Sequence, residues 1–82
     1  KTIAHNFQLI KELSAFALLQ KPVLLGVSRK STIYKTLGIT ADEALNGTTV
    51  LNTIGLQNGA SILRVHDVKE AVECVKLVEA IK

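Results

Sequence analysis

Val23-Leu24-Leu25-Gly26-Val27 is an unbroken apolar run that turns abruptly into Ser28, Arg29, Lys30 and Ser31. A short run without polar alternation suits a strand covered on both faces, as in a parallel sheet flanked by helices. The polar cluster then falls at one end of that strand. In α/β barrels and open doubly wound sheets, the carboxyl ends of the strands carry the binding loops. Two cations and two hydroxyls gathered there suit an anionic, polar ligand. Extended geometry puts Leu24, Gly26, Ser28 and Lys30 on one face and Val23, Leu25, Val27 and Arg29 on the other. Gly26 has no side chain, which leaves room for a ligand against the backbone. Arg29 and Lys30 also fit the plainer description of solvated loop cations; their place at a strand end favours a functional one.

A second strand is expected over Ala60 to Val65. Alternation places Ile62, Arg64 and His66 on one face and Ser61, Leu63 and Val65 on the other. If the latter face packs on helices, Arg64 and His66 project inward near the carboxyl end. A guanidinium there needs a carboxylate or an anionic ligand to offset its desolvation. The planar fork of Arg matches phosphate oxygens, and His can donate beside it. The competing arrangement pairs Arg64 with a structural carboxylate of the sheet.

Helical spacing surrounds these runs. Lys1 to about Gln20 reads as a helix with Ile3, Phe7, Ile10, Ser14 and Ala17 along one stripe, broadened by Leu9, Leu13 and Phe16 and stopped by Pro22. Thr32 to Leu37 forms a short helical turn ended by Gly38, and Thr40 with Glu43 forms a capping box. After a break at Asn46-Gly47, Thr48 to about Gln57 is helical, closed by Asn58-Gly59. Asp67 caps the last helix with Glu70 reaching back, and Val68, Ala71, Val72, Val75, Val78 and Ile81 face the core. The order helix, strand, helix, strand, helix is one βαβ unit with a leading helix.

The 82 residues are 48% hydrophobic, more than a chain that hides only about 60 to 65% of its unfolded surface readily covers. Two strands do not make a stable sheet covered on both faces, and a complete eight-stranded barrel takes about 250 residues. A partner surface or a missing remainder is expected. The net charge of +3 is spread over several segments and aromatics are 4%, which argues against a nucleic-acid binder. No run approaches a membrane span and the amino end does not read as a signal peptide, so a cytoplasmic protein is expected. The single cysteine, Cys74, fits a reducing compartment and a place in the core among Val72, Val75 and Val78.

Val27-Ser28-Arg29-Lys30-Ser31 and, about thirty residues on, Gly59-Ala60-Ser61-Ile62-Leu63-Arg64-Val65-His66-Asp67-Val68 together resemble the carboxyl-terminal part of the dihydropteroate synthase family. Lys1 and His5-Asn6 are similar to the end of the family's segment after its Asp-Pro-Gly strand end. The resemblance implies an α/β fold in which residues 1–82 are the carboxyl-terminal part of a pterin-binding TIM (β/α)8 barrel, its last two βα units. It implies an enzyme that joins hydroxymethyl-dihydropterin pyrophosphate to p-aminobenzoate in a homodimer, with Mg²⁺ held by residues outside this chain. Carried over by motif, Lys30 would bind the pterin, Ser28 and Arg29 would lie at the p-aminobenzoate site where sulfonamides compete, and Arg64 and His66 would hold the pyrophosphate. None of the 82 residues is assigned a catalytic or metal-binding role. Tyr34 stands where the family often has Gly, and Leu45 where many members place an Arg. The alternatives are a self-association fragment and part of another pterin-binding barrel such as a methyltransferase.

Overall fold

The computed structural model describes residues 3–17 and 22–82. The leading helix is two pieces, α1 (Ile3–Lys11) and α2 (Leu13–Ala17). The single helix expected there breaks at Glu12, whose carbonyl accepts from the Ala15 N–H at 3.0 Å, an i→i+3 bond tighter than the α-helical one. Its expected ends at Lys1 and Gln20 lie outside the described residues. Ile10 and Leu13 are buried, whereas Ser14, expected on the same stripe, is exposed.

The apolar runs form β1 (Leu24–Leu25) and β2 (Ile62–Leu63), paired in parallel with Leu24 opposite Ile62 and Leu25 opposite Leu63. Both are shorter than the runs that encode them. Bonds from Ser61 N–H to Val23 C=O (2.8 Å) and from Arg64 N–H to Leu25 C=O (2.9 Å) extend the pairing at either side. Burial on both faces, expected from the unbroken apolar run, is realised on one. Leu25 and Val27 join Ile10, Leu13 and Ala60 in the core, while Leu24 and Ile62 on the opposite face are 59% and 48% exposed. The packed helices lie on the Leu25 side.

Between the strands run α3 (Ser31–Leu37), a 3₁₀ turn (Ala41–Glu43) and α4 (Leu45–Gln57). Gly38 ends α3 as expected, with φ +70°. The Glu43 carboxylate accepts from the Thr40 N–H at 3.1 Å, the returning half of the expected box, which caps the 3₁₀ turn. Asn46-Gly47, read as a break, lies inside α4. Gly47 serves close packing there: a Cβ on it would strike Ile33 Cγ2. Gly55, one of the residues α4 buries, meets Leu25 in the same manner. Asn58 and Gly59, the latter at φ +109°, close α4. The Asn58 amide also donates to the Ile10 carbonyl at 3.1 Å, tying this end to α1.

The last helix, α5 (Val68–Ile81), buries Ala71, Cys74 and Val78. The stripe is narrower than the expected valine-rich one. Val68, Val72 and Val75 are exposed along a groove shared with Leu63 and Val65. Cys74 is buried as expected, its Sγ 3.8 Å from Thr53 Oγ1. The Asp67–Glu70 cap does not form; Asp67 stands at the helix start without a side-chain cap bond, its carboxylate engaged elsewhere. Among the described residues no helix is long and apolar enough to cross a membrane. A parallel strand pair with a helical crossover, helices on one side and an apolar opposite face is a partial (β/α) barrel.

Candidate functional site

Each strand releases its chain into polar sequence at the carboxyl end, and the parallel pairing brings the two polar ends together. After Val27 the chain turns through Ser28 and Arg29, with Arg29 in the left-handed region at φ 52°. That conformation disfavours a side chain with a Cβ. Two contacts hold it. The Arg29 N–H donates to Thr48 Oγ1 at 3.0 Å, and Thr48, 3% exposed, donates in turn to the Ala44 carbonyl at 2.7 Å. The guanidinium closes on Asp67, with Nε to Oδ2 at 2.8 Å and Nη2 to Oδ1 at 3.1 Å. Its Nη1 donates to the carbonyls of Ala41 and Asp42 at 3.0 and 2.9 Å. The guanidinium holds the Asp67 carboxyl below the usual carboxylate range, first by these hydrogen bonds and then by its charge.

Ser28 is buried, and its Oγ receives the His66 backbone N–H at 3.2 Å and lies 3.0 Å from His66 Nδ1. One hydroxyl at the end of β1 thus joins the residue at the end of β2. Lys30 starts α3, its carbonyl accepting from the N–H groups of Ile33 and Tyr34. Its ammonium and the Cβ of Arg64 flank Gly26: a methyl added there would lie 3.9 Å from each. Among the described residues neither Lys30 nor Arg64 forms an ion pair, and Asp67 is engaged by Arg29. The competing arrangement, Arg64 paired with a structural carboxylate of the sheet, is not formed among the described residues.

The structure thus brings together all five residues singled out from the sequence: Ser28, Arg29, Lys30, Arg64 and His66. Three supporting residues were missed. Thr48 and Asp67 were assigned to ordinary helix starts, and Asn6, whose Nδ2 donates to Thr32 Oγ1 at 2.9 Å, anchors α1 to the first turn of α3. The Asp67 signal was present in the sequence, since a carboxylate one residue beyond His66 lies at the same strand end as Arg29. Gly26, Lys30, Leu24, Asn6 and Thr32 also line a cleft of about 360 Å³ between β1 and α1. Such a strand end, with the Lys30 ammonium beside a bare glycine and Arg64 and His66 leaving the neighbouring strand, has the chemistry to hold a phosphorylated or otherwise anionic group next to a planar one.

Residues 1–66 match the pterin-binding enzyme family. The chain is 42% identical over 80 residues to the Escherichia coli dihydropteroate synthase (DHPS), covering 98% of this chain and 28% of that protein. It is 45% identical over 78 residues to the bifunctional dihydropteroate synthase/dihydropteroate reductase of Helicobacter pylori, covering 95% of this chain and 20% of that one. Among solved structures, a Yersinia pestis DHPS with a pterine-sulfa conjugate superimposes with a TM-score of 0.95 at 41% identity, over 99% of this chain and 32% of that one. The chain thus spans between a fifth and a third of these three proteins. The match over residues 1–66 takes in both strands, Lys30, Arg64 and His66, and the chain belongs to the pterin-binding enzyme family.

Proposed function

We propose that these residues are part of a dihydropteroate synthase, a transferase of folate biosynthesis that condenses hydroxymethyl-dihydropterin pyrophosphate with p-aminobenzoate. The observation that carries this reading is the meeting of Lys30 and Arg64 at Gly26, the Lys30 ammonium and the Arg64 Cβ each 3.9 Å from where a methyl on that glycine would lie, with neither residue in an ion pair among the described residues and His66 at the same strand end. Arg64 and His66 take the pyrophosphate. As the carbon–oxygen bond breaks, negative charge grows on the departing oxygens, and donors already aimed there stabilise it without reorganising. Lys30 contacts the pterin, and bare Gly26 lets the ring approach the backbone. Ser28 and Arg29 lie beside p-aminobenzoate, Arg29 with its guanidinium held by Asp67. The aniline nitrogen then attacks the pterin cation left by pyrophosphate, which is the order the family resemblance implies.

The complete enzyme works in the cytoplasm as a homodimer with Mg²⁺. By the family resemblance, the ion's ligands belong to the remainder of the barrel. Exposed Leu77 and Ile81 on α5 support association with a second surface.

Ligand titration of a complete synthase carrying these residues tests the assignments. Arg64→Ala is expected to weaken pyrophosphate binding, and Lys30→Ala pterin binding, each by about 10- to 100-fold, the range for loss of a charged hydrogen bond. Unchanged affinities in both variants would remove the residue roles. The 82 residues alone are expected to make no dihydropteroate; detectable synthesis by the purified chain would defeat that expectation.

A further inference from the structure

We propose that Ser28 is a positioning residue that fixes the neutral His66 imidazole in the tautomer with its proton on Nε2, presenting that nitrogen as a donor to the departing pyrophosphate. The inference rests on the assignment of His66 to that anion. It starts from one oxygen with two neighbours: Ser28 Oγ lies 3.2 Å from the His66 backbone nitrogen and 3.0 Å from Nδ1 of the same residue.

A hydroxyl has one hydrogen and two acceptor lone pairs, and a backbone N–H can only donate. The His66 N–H therefore occupies one lone pair of Ser28. Two arrangements remain for the ring. In the first, the hydroxyl donates to a bare Nδ1. In the second, a protonated Nδ1 donates to the second lone pair, and the hydroxyl hydrogen must find an acceptor elsewhere. Ser28 is only 5% exposed, and among the described residues its Oγ has no partner besides these two atoms of His66. Stranding a buried donor disfavours the second arrangement by about tenfold or more. The first satisfies every group, so the ring carries its hydrogen on Nε2, the nitrogen away from Ser28.

The consequence is chemical rather than merely structural. A bare Nε2 would repel phosphate oxygens, whereas Nε2–H donates to them and does so more strongly as their charge grows. The Nδ1 contact orients the ring, and the backbone contact holds the strand end that carries it against Ser28, 38 positions earlier. The Arg29–Asp67 pair fixes the adjoining residues in the same register.

The test is nitrogen NMR of a complete synthase labelled with ¹⁵N-histidine, with the His66 resonances assigned by His66→Gln and spectra taken where the ring is neutral. The expected result is a bare Nδ1 and a protonated Nε2 in the parent enzyme and in Ser28→Thr, which keeps the hydroxyl. Ser28→Ala is expected to give a mixture of tautomers and to loosen inorganic pyrophosphate by about tenfold. A proton on Nδ1 in the parent enzyme would overturn the proposal, as would a tautomer unchanged in Ser28→Ala. If Ser28→Ala does not fold, the parent and Ser28→Thr spectra decide the matter. Pyrophosphate is expected to shift Nε2. A protonated Nε2 that ignores pyrophosphate would support the tautomer assignment and remove the anion assignment.

Discussion

Arg29 grips Asp67 through two parallel hydrogen bonds, Nε to Oδ2 at 2.8 Å and Nη2 to Oδ1 at 3.1 Å, across 38 residues of sequence. The remaining amine reaches the carbonyls of Ala41 and Asp42. One side chain thus fastens the end of β1, the 3₁₀ turn and the start of α5. Exposed ion pairs contribute little on their own, but this one is a forked pair within a four-bond set. Arg29→Lys keeps the charge and loses the fork, and is expected to lower the denaturation midpoint of a complete synthase almost as far as Arg29→Ala does. Equal stability of Arg29→Lys and the parent would show that the charge alone suffices.

The same pair sets an acid limit. The Asp67 carboxyl titrates below its unfolded value, so its contribution is fully present above the usual carboxylate range and is lost as pH falls through the lowered folded value. Melting curves from neutral pH downward are expected to show this loss in the parent and a shallower acid limb in Asp67→Asn. Superimposable acid limbs would sink the assignment.

Gly47 tests the packing of α4 on α3. Alanine there gains about 1 kcal/mol of helix propensity. Its methyl must displace Ile33 Cγ2, and Ile33 is 2% exposed, β-branched and stiff. Overpacking of this kind costs about 1–3 kcal/mol. The balance predicts a net loss for Gly47→Ala by chemical denaturation, and a gain would mean that the two helices can part.

Asn52 makes the opposite prediction. It is 1% exposed, and its Oδ1 has no hydrogen-bond partner among the described residues. Asn52→Leu removes the stranded acceptor in a side chain of the same branching and heavy-atom count, and is expected to stabilise by about 1–2 kcal/mol. A destabilised Asn52→Leu would show that the amide has a partner in the complete protein.

The sequence carried the architecture because both strands are apolar runs ending in polar clusters, a pattern with few solutions. Gly38, the Thr40–Glu43 contact, Asn58-Gly59 and the buried Cys74 were each legible from local chemistry. Local chemistry also misled. Asn46-Gly47 has the composition of a turn, but close approach to Ile33 selects its glycine within a helix. Asp67 has the spacing of a cap, yet a guanidinium 38 residues earlier competes for the same carboxylate and wins with two bonds. The α5 stripe was drawn too wide because periodicity identifies an apolar face without saying how much of it meets α4. In the site, residue types gave the five candidates, while the assignment of Asp67 to Arg29 and of Ser28 to His66 is a long-range pairing that no window of sequence contains.

That separation has a bearing on the order of assembly. Ser28 meets His66, and Arg29 meets Asp67, each 38 positions apart, only after the chain between them has been drawn into a closed loop, whose entropic penalty precedes any reward from the contacts. The turn at Ser28 and Arg29 has its own brace in Thr48, midway along that loop. The polar end thus leans on α4: with Thr48 withdrawn, the turn loses the brace on its Arg29 N–H and keeps the guanidinium's grip on Asp67.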